Sequence, residues 1–190
     1  TDGLTVAGNV SVDGGTIKLD GNYPTGTGNV ALGDLSFAAL QSGASNNVSI
    51  GYYSGNALTT GGNNTALGAY AVHKTTTASG NTGLGRGAMY ENSTGASNTA
   101  VGDQALYFNT TASNNTAVGF VALLANSTGA YNTALGVRAL QSNTTANYNT
   151  AMGQQAAYGN TTGEQNLALG GLAFYTNSTG SYNVALGMES

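Results

Sequence analysis

One spacing governs this chain. A glycine closing an Asn-x-small-aliphatic-Gly string recurs at Gly33, Gly51, Gly68, Gly85, Gly102, Gly119, Gly136, Gly153, Gly170 and Gly187. The first step is 18 residues and every later step is 17. Such regularity leaves one broad class of fold open, a stack of short units in which each packs on its neighbours.

The consensus unit reads Asn-Thr-Ala-Leu-Gly-x-x-Ala-Leu-x-x-Asn-Thr-Thr-Gly-x-x. Column one is Asn throughout, from Asn29 to Asn183. Column three is always small, as in Ala31, Ser49, Ala66, Gly83 and Ala100. Column four is always a medium aliphatic, from Leu32 and Ile50 to Leu169 and Leu186. Column eight is mostly Ala, and column nine is mostly apolar, as in Val72, Met89, Leu106, Leu123, Leu140 and Phe174. Column fourteen is Thr from Thr60 to Thr179.

A unit of 17 residues is too short for the helix pairs of helical solenoids, which need about 34. Gly and Asn in every unit also disfavour helix. Strands with corners fit, and the expected fold is an all-β parallel β-solenoid of about ten rungs of 17 residues over 29–190. Asn-Thr-Ala-Leu forms a short strand whose alternate side chains face opposite ways. The column-four aliphatic is expected to point into the coil and the column-three Ala outward. Column nine supplies a second inward contact. Gly68, Gly85, Gly102, Gly119, Gly136, Gly153 and Gly170 are corners with positive φ, and Asn-Thr-Thr-Gly is a turn. Asn64, Asn81, Asn98, Asn115, Asn132, Asn149 and Asn166 form a ladder expected to bond amide to amide along the axis. Ten rungs make a rod of roughly 45–50 Å. The core per rung is thin, so three coils burying their Ala columns against each other are expected to form a homotrimer.

Residues 1–28 differ. Leu4 and Val6, Val10 and Val12, and Ile17 and Leu19 alternate in short runs broken by Gly. They read as an N-terminal β shaft section, with Pro24, the single proline, at its end. The chain starts and stops mid-pattern, which reads as a segment of a longer polypeptide.

The Asn-x-Ala-Leu-Gly-x-x-Ala unit resembles the head repeat of YadA-like trimeric autotransporter adhesins. It looks still more like repeats in bacteriophage tail fibres, and Gly-Leu-Thr-Val-x-Gly-Asn-Val-Ser-Val near the start resembles tail-fibre shaft sequence. The adhesin head unit is usually shorter than the one here. The resemblance implies a trimeric left-handed β-roll displayed on a virion or outside a bacterial cell and serving attachment, with a host receptor or glycan as partner.

Chemistry is sparse. Only 6% of residues are charged, against about 25% in ordinary domains. The net charge is −4, and no basic patch supplies the electrostatic term of nucleic-acid binding. No apolar run approaches the roughly 18 residues of a membrane span. There is no cysteine, hence no thiolate metal site. The acids show no paired or laddered spacing for acid–base or calcium chemistry. His73, Arg86 and Arg138 read as solvated repeat variants. Gly83-Leu84-Gly85-Arg86-Gly87 lacks the Lys-Ser/Thr of a phosphate loop and falls on repeat phase. The chain reads as non-enzymatic, with no catalytic residue, cofactor or metal.

Asn92, Asn109, Asn126, Asn143, Asn160 and Asn177 head Asn-x-Ser/Thr triplets. They read as repeated turn chemistry, with glycan acceptance the other reading. Tyr90, Tyr107, Tyr158 and Tyr175 share column ten. They either pack between rungs or stack on sugar rings. The function expected is a structural tail-fibre segment acting in host attachment. Two alternatives are an adhesin head binding glycan or matrix, and an ice-binding solenoid presenting its hydroxyl columns.

Overall fold

The computed structural model describes residues 27–190. All but the last two residues of the shaft section read over 1–28 lie outside the described residues. The rest is a parallel β-solenoid of about nine turns, with no helix among the described residues. Ten strands of three residues run from β1 (Val30–Leu32) to β10 (Val184–Leu186). Each pairs with the next in chain order, making a single ten-stranded sheet. Ala100 lies beside Ala117, and Ala117 beside Ala134, so identical columns stack along the axis.

Columns three and four do point opposite ways, but their assignment is the reverse of the one expected. Ala100, Ala117, Ala134, Ala151 and Ala168 are fully buried inside the coil. The column-four aliphatics face out, with Leu67, Leu84, Leu135 and Met152 each 40–45% exposed. The coil's width explains this. A Cβ built on Gly83 of column three would lie 2.5 Å from Val72 Cγ2 of column nine. The two columns confront each other across the interior, and column nine already fills it with Met89, Leu106, Leu123 and Leu140. Only a small residue fits opposite, because interiors are close-packed. The Ala column therefore cannot serve as the contact between coils.

The glycine corners have the expected sign, with φ of 128–137° from Gly68 to Gly170. Three further columns, seven, nine and seventeen, take positive φ mostly without glycine. Column seven includes Tyr70 (58°), Gln104 (56°) and Val121 (48°), and column nine includes Val72 (51°), Leu106 (54°) and Leu140 (49°). A left-handed L-residue costs about 1–2 kcal/mol. Stacking holds them there through ladder bonds between rungs, such as Gln104 N–H to the Arg86 carbonyl (2.9 Å) and Leu106 N–H to the Ala122 carbonyl (2.9 Å).

The interior is half polar. Column-one asparagines from Asn29 to Asn166 are buried, and each uses both its amide oxygen and its amide nitrogen. Asn115 Oδ1 accepts the backbone N–H of Asn132 at 2.9 Å, and its Nδ2 donates to the Gly129 carbonyl at 2.9 Å. This ladder thus runs mainly from side chain to backbone, and not amide to amide as expected. The amide-to-amide ladder belongs to column twelve. There Asn109 Nδ2 donates to Asn92 Oδ1 at 2.7 Å, Asn126 to Asn109 at 3.0 Å and Asn143 to Asn126 at 2.9 Å.

The first rungs vary the scheme. Leu40 and Leu58 take the place of the column-twelve asparagines and form a small apolar cluster with Phe37 and Ala44. Phe37 of column nine sits beneath Gly55 of the next rung, where an added Cβ would lie 2.5 Å from its Cε1. The large ring is accommodated by the missing side chain. Gly55→Ala is expected to destabilise by about 1–3 kcal/mol through overpacking. In a Phe37→Leu background the same change becomes nearly neutral, and a double-mutant cycle by denaturant unfolding measures the coupling. Equal penalties in both backgrounds would refute this pairing.

Candidate functional site

Two features stand out on a surface that otherwise repeats. The first is the outward face of the sheet. Column four makes a continuous aliphatic row from Leu32 through Ile50, Leu67, Leu84, Val101, Val118, Leu135, Met152 and Leu169 to Leu186, all partly or largely exposed. Nine steps of about 4.8 Å make this row roughly 43 Å long. Thr65, Thr82, Thr99, Thr116, Thr133 and Thr150 flank it in column two, on the same face of the strands.

The second feature is local. The described residues contain eight charged side chains, and Lys74, Arg86, Glu91 and Asp103 fall on three successive rungs together with His73. Two ion pairs form along the axis between residues one rung apart. Lys74 Nζ donates to both Glu91 oxygens at 2.8 Å. Arg86 Nε and Nη2 reach the Asp103 carboxylate at 3.1–3.2 Å. Arg86, read as a solvated variant, is exposed but also paired, and the signal for both pairs was their separation of one repeat. The Glu91 hydrogen bond lifts the Lys74 ammonium above its ordinary pKa.

Aromatic rings gather at the same rungs. Tyr53 stacks on Tyr70 (5.6 Å), His73 on Tyr90 (4.8 Å) and Tyr90 on Tyr107 (4.9 Å, 2° between planes). Burial, then the neighbouring Tyr90, push the Tyr107 phenol above its usual pKa. His73 Nδ1 lies 3.0 Å from the Tyr53 carbonyl. An open cleft of about 280 Å³ lies here, lined by Tyr70, Arg86, Gly87, Tyr90 and Tyr107.

Column ten thus divides. Tyr90 and Tyr107 join this cluster, whereas Tyr158 and Tyr175 form a separate stacked pair at 5.1 Å. In both pairs the rings face each other between rungs, so the mutual faces are occupied. Column seventeen behaves alike, with Tyr131 on Tyr148 at 5.0 Å.

Five of the six triplet asparagines are inaccessible in the folded rod, and Asn177 is partly exposed. Asn92, Asn109, Asn126, Asn143 and Asn160 are 0% exposed. The Asn126 Nδ2 group makes two bonds, one to Asn109 Oδ1 and one to the Gly129 carbonyl. The column-thirteen hydroxyls are also engaged, as in Thr110 Oγ1 to the Ser127 carbonyl at 3.0 Å. Among the described residues no three His, Asp or Glu side chains are grouped to hold a metal ion. No helix among them is long and apolar enough to cross a membrane. No protein-family model, curated protein or solved structure matches this chain.

Proposed function

We propose that this chain is a rod-forming, non-enzymatic segment of a homotrimeric attachment fibre, displayed outside the cell or on a virion in the manner of a tail fibre. The observation that carries the reading is the uncovered sheet face with its unbroken aliphatic row. All-parallel sheets occur almost only with both faces covered, and contiguous exposed apolar patches mark interaction surfaces. Here one face packs inside the coil, and the other presents Leu67, Leu84, Leu135 and Met152 half-exposed. Two further copies laying the same row along the trimer axis would cover it over the full rod. The interface lies on the Leu column, because the Ala column is buried inside each coil.

The resemblance of the Asn-x-Ala-Leu-Gly unit to tail-fibre and adhesin-head repeats supports the same reading, including its left-handed coil. Uniform columns suit a spacer, whose task is length and stiffness. The ice-binding alternative is weakened because the column-thirteen hydroxyls donate to carbonyls of the next rung.

Light scattering on the purified chain is expected to give three times its 18.8 kDa mass. Replacing Leu67, Leu84 and Leu135 together by Thr is expected to release monomers that keep the β circular-dichroism spectrum. A folded monomer from the unmodified chain would overturn the trimer.

A further inference from the structure

We infer that the cleft over Gly87 is a binding site for one neutral pyranose residue of a glycan. This goes beyond the rod reading, which needs no ligand site, and does not depend on the trimer. The argument starts from column seven. Its successive members are Leu35, Tyr53, Tyr70, Gly87, Gln104, Val121, Arg138, Gln155, Leu172 and Glu189. Glycine occurs there once. Tyr53 covers Tyr70 on one side, and on the other the column's next member has no side chain. The missing side chain leaves the cleft bounded by Tyr70, by the Tyr90–Tyr107 stack and by Arg86.

Size and chemistry select the ligand. A volume of about 280 Å³ lies just below the roughly 300–1,000 Å³ of small-ligand pockets, which limits the occupant to about one six-membered ring. The negative face of an aromatic ring attracts polarised C–H groups and cations. The C–H face of a pyranose has the shape and polarity to lie on Tyr70. At the rim, the Arg86–Asp103 pair offers planar donors and acceptors side by side. Such a pair matches vicinal hydroxyls, each of which is both donor and acceptor. The charges also sum to zero: Lys74 and Arg86 are each paired, with Glu91 and Asp103. Neither an anionic nor a cationic ring finds an unpaired counter-charge there.

Period-breaking sharpens the inference. A passive rung requires nothing special in column seven, yet the side chain is lost at the one level where axial ion pairs and aromatic stacks converge. The rings of Tyr158 with Tyr175 and of Tyr131 with Tyr148 stack elsewhere without those ion pairs.

Filling the gap provides the test. Gly87 has φ of 64°, and Gln104 and Gln155 hold the same column at 56° and 55°. Gly87→Gln is therefore compatible with the backbone, and its Cβ, 3.2 Å from Tyr107 Cε2, requires only a small shift of that side chain. Tyr70→Leu is the second variant, since Leu172 occupies that column. Saturation-transfer NMR would use methyl glucoside, galactoside and mannoside, with methyl glucuronide and phenol as controls. The expected result is transfer from tyrosine protons to at least one neutral glycoside, weakened about two- to tenfold in either variant, as for loss of a stacking contact. Unchanged transfer in Gly87→Gln and Tyr70→Leu would overturn the site. Transfer to no neutral glycoside, or to glucuronide or phenol alone, would overturn the ligand assignment.

Discussion

Gly119→Ala, taken as representative of the corner glycines, is expected to destabilise the rod by about 3–5 kcal/mol. Two penalties coincide. The φ of Gly119 is 134°, a region essentially reserved for glycine. The added Cβ would also lie 2.5 Å from the Gly136 carbonyl oxygen and 2.6 Å from its carbon. Those atoms belong to the corner of the next rung, which is held by its own ladder bonds and cannot move alone. Backbone strain of about 1–3 kcal/mol and overpacking of similar size act together. Gly171→Ala is the control, for its added Cβ has no neighbour nearer than 4.0 Å. Chemical denaturation of the two variants is expected to separate them clearly. Equal midpoints would refute the corner as a tight constraint.

Asn115→Ala should cost about 2–4 kcal/mol by the same measurement. Its carboxamide bonds two backbone groups buried within the coil, the Asn132 N–H and the Gly129 carbonyl. Removing it orphans the Asn132 N–H, at about 1–3 kcal/mol, and takes one of two donors from the Gly129 carbonyl, which keeps its bond from Asn126 Nδ2, at about 0.5–1.5 kcal/mol. Asn115→Asp retains the acceptor but replaces the donor with an oxygen facing the Gly129 carbonyl. Burial against that carbonyl raises the carboxyl pKa in the folded state above its unfolded value. The protonated form can donate, so N115D is expected to be closest to the parent at low pH. It should lose stability as pH rises through the raised pKa. A pH-independent deficit would show that the Gly129 bond contributes little.

Much of this rod is legible in the sequence. The step from Gly68 to Gly85 to Gly102 names the rung length, and excludes helix pairs on size alone. Glycine at each corner signals positive φ, because no other residue enters that region freely. Inward-facing Leu106 and Leu123 follow from apolar residues recurring in one column. The ion pairs Lys74–Glu91 and Arg86–Asp103 were equally legible, since opposite charges one repeat apart must stack once rungs align.

Other features were not. Leu106 and Val121 adopt positive φ, and nothing in an aliphatic side chain announces it. Their conformation is imposed by hydrogen bonds to adjacent rungs and lies against local preference. The burial of Asn92 and Asn126 was hidden for a related reason. Asparagine in a Thr- and Gly-rich stretch reads as a surface turn. Only the closed coil brings each amide beside its counterpart one rung away.

By itself, the sequence determined that this protein is a parallel stack with a rung of 17 residues, and which columns align along it. Periodicity is enough for that, because every rung must satisfy the same neighbours. The tertiary structure alone decided which side of the strand is the inside. Alternation places Ala100 and Val101 on opposite faces but does not say which is buried. The narrow interior chose, since column nine fills it and leaves room opposite only for Ala or Gly. That choice turned the aliphatic row outward. Side-chain loss at Gly87 likewise became a cleft only once stacking had set Tyr70, Arg86 and Tyr107 around it.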